Sequence, residues 1–221
     1  MANGAIHIGI SCHLDMFYRV DFPLVYGEVE LNFLAHTSAN ENQLSRIFSR
    51  GEESELFLKG VLEVFDIGGC LHNHEGFSQP DGLAMKYFRM ASFHNQAMAV
   101  ALCGNVSLAG AVQSSLLCAE LAVKAGLFHL GKDEDFARNK VGHNLKVAVP
   151  ELVAVGKIDQ TEIESRIRIL PDFVSSRYEE RRWTRLELVA IASAAQAILA
   201  MIARMMSGYS FNEAICTQAS A

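Results

Sequence analysis

The chain reads as a mainly α protein: a five-helix bundle preceded by a smaller α+β segment with a short antiparallel sheet. Three observations give that class. Apolar residues recur with period two in the first third and with the helical period from Gly82 onward. The charge changes at the same place: residues 1–83 carry 12 Asp/Glu against 4 Lys/Arg, a balance of −8, and residues 84–221 carry 13 against 15, a balance of +2. The turn cluster Ser78-Gln-Pro-Asp-Gly82 marks the join. The expected division is an acidic α+β domain at 1–83, a helical bundle at 84–208, and a polar, small-residue tail at 209–221 that is mobile.

The elements follow in order. Ile6, Ile8 and Ile10 alternate with His7, Gly9 and Ser11; Met16, Tyr18, Val20 and Phe22 alternate with Phe17, Arg19 and Asp21; Val29, Leu31 and Phe33 alternate with Glu30 and Asn32. Three short strands are expected, with the apolar set inward. A helix over Glu53–Phe65 is expected to close at Gly68-Gly69. In the bundle, the first helix spans Ala84–Cys103 and stops at Gly104-Asn105. The second spans about Leu108–Leu130, with an apolar seam at 108, 112, 115, 119, 122, 123, 126, 127 and 130, and a Glu120/Lys124 pair off it. The third starts near His143, restarts at Pro150 and closes at Gly156. The fourth opens at Asp159-Gln-Thr-Glu162 and ends at Pro171. The fifth opens with the capping box Thr184-Arg-Leu-Glu187 and runs to Ser207 before Gly208.

Bulk composition narrows the setting. A chain of 221 residues, half of them hydrophobic, can bury a large core. Five cysteines at 12, 70, 103, 118 and 216 are odd in number and widely spaced, which fits free thiols in a reducing compartment. The N-terminus lacks a basic start followed by an apolar run, so a cytoplasmic location is expected. Leu188–Ala203 is apolar but shorter than the roughly 20 residues of a spanning helix, and reads as a buried bundle helix with no membrane partner. Cys70, His72 and His74 would share one face of an extended segment, but no fourth ligand lies nearby, so no metal or other cofactor is expected.

Two stretches carry a further indication: Gln113–Gly131, with Glu120-Leu-Ala-Val-Lys124-Ala in it, and Gly142-His-Asn-Leu145. Together they resemble the HEPN family of helical bundles over roughly residues 85–207. Ser176-Arg-Tyr-Glu179 is similar to an Arg-Tyr segment that often precedes the last helix in that family. The resemblance implies an RNA- or nucleotide-associated protein in a stress, defence or toxin–antitoxin setting, and pairing into a homodimer.

Some HEPN proteins cut RNA without a metal, using an arginine and a histidine separated by a short spacer of roughly four to six residues. Arg138-Asn-Lys-Val-Gly-His143 has that spacing, flanked by Asn139 and Asn144, which could orient a phosphate. Histidine can take a proton from a ribose 2′-hydroxyl while arginine steadies the phosphate charge. Arg89-Met-Ala-Ser-Phe-His94 has the same spacing. In the family's nucleases the pair sits at the start of the last long helix, and here Thr184-Arg-Leu-Glu187 has no histidine. By their spacing, and in spite of that departure in position, Arg138 and His143 are the catalytic candidates of an alternative reading, a metal-independent endoribonuclease.

The densest basic stretch runs from Arg166 to Arg185. It holds half of the chain's 12 arginines and the only tryptophan. Arg177, Tyr178, Arg181, Arg182, Trp183 and Arg185 combine charge for phosphates with π faces for bases, the chemistry of a single-stranded RNA contact. A solvated face rich in ion pairs is the plainer reading of the same residues. A third reading is a non-catalytic interaction module, in which the acidic N-terminal domain binds a protein partner or masks the bundle.

Overall fold

A computed structural model describes residues 5–27, 30–75, 82–154, 157–173, 175–178, 181–211 and 213–214. The protein is mainly helical, with eight α-helices among the described residues and a two-stranded antiparallel sheet at the N-terminal end. Strands β1 (Ala5–His13) and β2 (Met16–Pro23) form a hairpin in which Ile10 faces Arg19. The expected third strand is not formed: Phe33–His36 is a 3₁₀ turn capped by Asn32, whose side chain accepts from the Ala35 N–H, and Val29 lies outside the described residues.

In β1 the burial differs from the alternation read in the sequence. His7, Gly9 and Ser11 are buried, whereas Ile6 and Ile8 are half-buried. The reason is that helices cover both faces, and small residues let them come close. A Cβ on Gly9 would stand 2.5 Å from Val64 Cγ2 and 2.6 Å from Gln196 Oε1. The polar atoms are matched as well. Gln196 Oε1 accepts from the Ile10 N–H at 2.9 Å while its Nε2 donates to the Ile10 carbonyl at 2.8 Å. Ser11 Oγ donates to the Phe57 carbonyl at 2.6 Å. On the other strand, Arg19 N–H donates to Ser38 Oγ at 2.9 Å and the Ser38 N–H returns to the Arg19 carbonyl at 2.8 Å.

Helix α1 (Glu41–Phe48) opens on a capping box between Asn40 and Gln43. Helix α2 (Gly51–Glu75) runs on past the expected stop at Gly68-Gly69, because both glycines are interior positions chosen for clearance. A Cβ on Gly68 would lie 2.1 Å from the Phe22 ring. The same helix carries Cys70 and His72, so the extended segment supposed for a metal cluster is replaced by helix, where residues two apart point to different faces; the His74 side chain lies outside the described residues.

Helices α3 (Gly82–Cys103) and α4 (Leu108–His129) form the long hairpin read in the sequence. The third helix is short: a 3₁₀ turn at Leu145–Ala148 leads into α5 (Val149–Val153), with Pro150 in its first turn. Helix α6 (Gln160–Ile169) is capped by Asp159, a four-residue α7 spans Ser175–Tyr178, and α8 (Arg185–Ser207) opens on the Thr184–Glu187 capping box and closes at Gly208 with φ +69°. The main core joins Ile67, Cys70 and Leu71 of α2 to α3, α4 and α8. Gly126 lets α4 and α8 cross closely, with a Cβ there 2.7 Å from Ile202 Cδ1 and 2.9 Å from Leu152 Cδ2. Beyond α8, Phe211 meets the ring of Phe65, and its N–H donates to Asp66 Oδ1 at 2.8 Å. Two helices, Leu108–His129 and Arg185–Ser207, are long and apolar enough to cross a membrane by length and composition; most of each is buried against other elements here.

Candidate functional site: a histidine–carboxylate cleft

His143 is delivered by a chain of tight turns. After α4, residues Phe136–Val141 form a single π-helical turn, and Gly142 reverses the backbone at φ +54°, a conformation that side chains disfavour. Val141, Leu145 and Ala148 bury themselves in the main core and pin this segment against α4. The imidazole then reaches the middle of α4, 23 residues earlier in the chain. Its Nδ1 lies 2.8 Å from Glu120 Oε2, and Lys124 Nζ lies 2.6 Å from Glu120 Oε1. Glu120 is 6% exposed and His143 is half-exposed.

The chemistry of that contact fixes the ring. An ionised carboxylate only accepts, so Nδ1 carries the hydrogen, and in the neutral ring Nε2 then keeps the lone pair. Nε2 has no hydrogen-bond partner among the described residues. One ring face is stacked on Phe173, with centroids 4.6 Å apart and planes inclined by 8°. Lys124 balances the buried carboxylate. The result is a histidine held in one tautomer and one orientation, with an acceptor nitrogen available to a ligand.

His143 lines a cleft of about 530 Å³, within the range of small-molecule sites. Its floor is apolar, from Leu116, Leu145, Ile167, Leu170 and Phe173, and its polar groups are Glu120, Asn144, Lys146 and Asp172 beside the histidine. Of the candidates read in the sequence, His143 and Asn144 come together here. Arg138 sits exposed on the π-helical turn and does not line the cleft, and Asn139 is bonded to Asp135. Arg89 and His94 both lie on α3.

The arginine–aromatic stretch is a separate cluster. Arg181 packs 4.1 Å from the Trp183 ring and ion-pairs Glu187 at 2.6 Å. Arg185 donates to the Asp15 carbonyl at 3.0 Å and lies over the Phe17 ring, tying α8 to the hairpin turn. Arg182 is exposed. The side chains of Arg177 and Tyr178 lie outside the described residues.

Glu120, Lys146 and Phe173 line the cleft and were not among the expected site residues. Glu120 and Lys124 do form their pair off the seam, and it lies inside the protein, since α4 is surrounded on nearly every side. A charged residue between seam positions 119 and 122 is the signal that could have found Glu120. Phe173 had none, because only the tertiary fold brings it beside His143; Lys146 follows His143 by three residues and was a cation within reach of it in the sequence itself.

A second polar cluster lies between α2, α6 and α8. Asp66 is sealed between Arg204 at 2.8 Å and the Phe211 N–H, and burial raises its carboxyl above the ordinary range. Burial pushes Glu63 up to about 7, against the attraction of Arg204, Arg166 and Lys59 and a hydrogen bond from Gln196. His7, fully buried beside Asn95, is pushed down to about 3 by desolvation.

No family model, curated protein or solved structure matches the chain.

Proposed function

We propose that this is a HEPN-like, RNA- or nucleotide-associated protein, working in a stress, defence or toxin–antitoxin role, that takes its ligand in the cleft around His143. The observation that supports this most is the His143–Glu120 pair. It presents one fixed acceptor nitrogen beside Asn144 and Lys146, over an apolar floor able to hold a base. The resemblance in Gly142-His-Asn-Leu145 and the α4 helix points the same way. A cytoplasmic homodimer accords with that resemblance, and sedimentation of the purified protein tests the pairing.

The second reading is a metal-independent endoribonuclease, and the same pair favours it. Nε2 of His143 would take the proton of a 2′-hydroxyl; the 2′-oxygen attacks phosphorus, and the 5′-oxygen leaves with a proton, giving a cyclic 2′,3′-phosphate. Arg138 lies outside the cleft, so Lys146 is the cation placed to steady the phosphate.

Labelled single-stranded RNA, incubated with EDTA and wild-type or His143→Ala protein, distinguishes these. Cleavage by wild type alone, ending in a cyclic phosphate, establishes the nuclease. Salt-sensitive retention without cleavage, weakened about tenfold or more in His143→Ala, establishes the binder. Absence of both overturns the proposal and favours the protein-interaction module.

A further inference from the structure

Lys146 lines two cavities. On one side it borders the His143 cleft; on the other it borders a second cleft of about 330 Å³ with Val149, Pro150, Gln160, Glu164 and Arg168. Both clefts are bordered by the segment leading into α5 and by helix α6, and α4 with Leu170–Phe173 completes the first. Ile167 and Leu170 face the first, and Gln160, Glu164 and Arg168, spaced four apart, make the stripe facing the second.

The charges on α6 divide accordingly. Glu162 faces α2, paired with Lys59 at 2.6 Å and approached by Arg166 at 3.8 Å. Glu164 accepts from Gln160 at 2.8 Å. Lys146 and Arg168 have no ion pair and no side-chain hydrogen bond among the described residues. Two uncommitted cations thus stand along one groove, and the first of them adjoins the histidine.

Resting on the RNA reading above, we propose that this groove is the path of a single-stranded RNA: one nucleotide enters the His143 cleft, and the chain continues along α6 with its phosphates on Lys146 and then Arg168. Charge and hydrogen bonds from lysine and arginine to phosphate oxygens carry no sequence information, so the path is indifferent to sequence. Charge on the groove then governs how affinity grows with ligand length.

Fluorescence anisotropy tests it with a labelled oligomer of about 12 nucleotides and a dinucleotide, titrated at roughly 50 to 200 mM salt. The proteins are wild type, Lys146→Gln, Arg168→Gln and, as a control elsewhere on the surface, Lys140→Gln. Lys146→Gln should weaken both ligands. Arg168→Gln should weaken the oligomer about 3- to 10-fold, flatten its salt dependence by about 0.7 in log–log slope, and leave the dinucleotide unchanged. Lys140→Gln should change neither. If wild type binds the oligomer but Arg168→Gln matches it in affinity and slope, the path is wrong while the cleft stands. If wild type binds neither ligand, the RNA reading itself fails and the path with it.

Discussion

Glu120 has both carboxylate oxygens engaged inside the protein, so its removal disturbs two partners at once. Glu120→Ala leaves the Lys124 ammonium, itself only 15% exposed, without its counter-charge. Loss of one member of a buried pair costs about 3 kcal/mol, to be read as a lowered urea midpoint. The same variant should release the imidazole. In wild type, nitrogen NMR of the neutral ring should place the hydrogen on Nδ1, and in Glu120→Ala that tautomer's share should fall. An unchanged ratio would mean that the carboxylate does not orient His143. The sequence placed Glu120 correctly on α4, beside Lys124 and off the apolar seam, but did not show that this side of the helix is also covered. Periodicity identifies the most apolar face of a helix; it does not tell how many neighbours surround it.

Helix boundaries were the most legible feature, because they rest on local chemistry. The Thr184–Glu187 box and Gly208 bracket α8 at both ends as read, and Thr184→Ala should cost about 1 kcal/mol in the unfolding free energy. Where a glycine serves packing, the local rule misleads. Gly68 looked like a stop for α2 and is a point of contact with Phe22, so Gly68→Ala should destabilise by about 1–3 kcal/mol without shortening the helix. A loss of helical circular dichroism in proportion to the residues beyond 68 would favour the stop instead. The hairpin was legible as strands but not as to which face is buried, since Gly9 and Ser11 are buried for their smallness and not for their polarity. The cleft was half legible: His143 and Asn144 stood out by pattern, Lys146 adjoins them in the same segment without a pattern of its own, and Phe173 arrives from a segment that shares no local signal with them.

At the scale of the whole molecule, two buried ionisable groups set opposing pH dependences. Glu63 binds a proton more tightly folded than unfolded, because burial raises it to about 7. Folding therefore takes up a proton between about pH 4.5 and 7, and stability falls as pH rises through that window. His7, held neutral down to about 3, does the reverse: its contribution is complete above about pH 6.5 and is lost as pH falls. Glu63→Gln removes only the first effect. The stability of that variant relative to wild type should increase from pH 5 to pH 7, by on the order of 2 kcal/mol. Urea midpoints at several pH values measure it, and a flat difference would show that Glu63 does not titrate there.

The pairing of Ile10 with Gln196, and of Arg19 with Ser38, has a consequence for behaviour at high concentration. These residues face one another in the hairpin, and each directs its free peptide outward. A two-stranded sheet ordinarily exposes two ribbon edges able to template another chain. Here one edge is closed by a helix side chain and the other by a loop serine. Neither strand can accept an incoming strand at its midpoint, so the folded protein is guarded against edge-to-edge polymerisation. Shortening Gln196 would open the first of those edges.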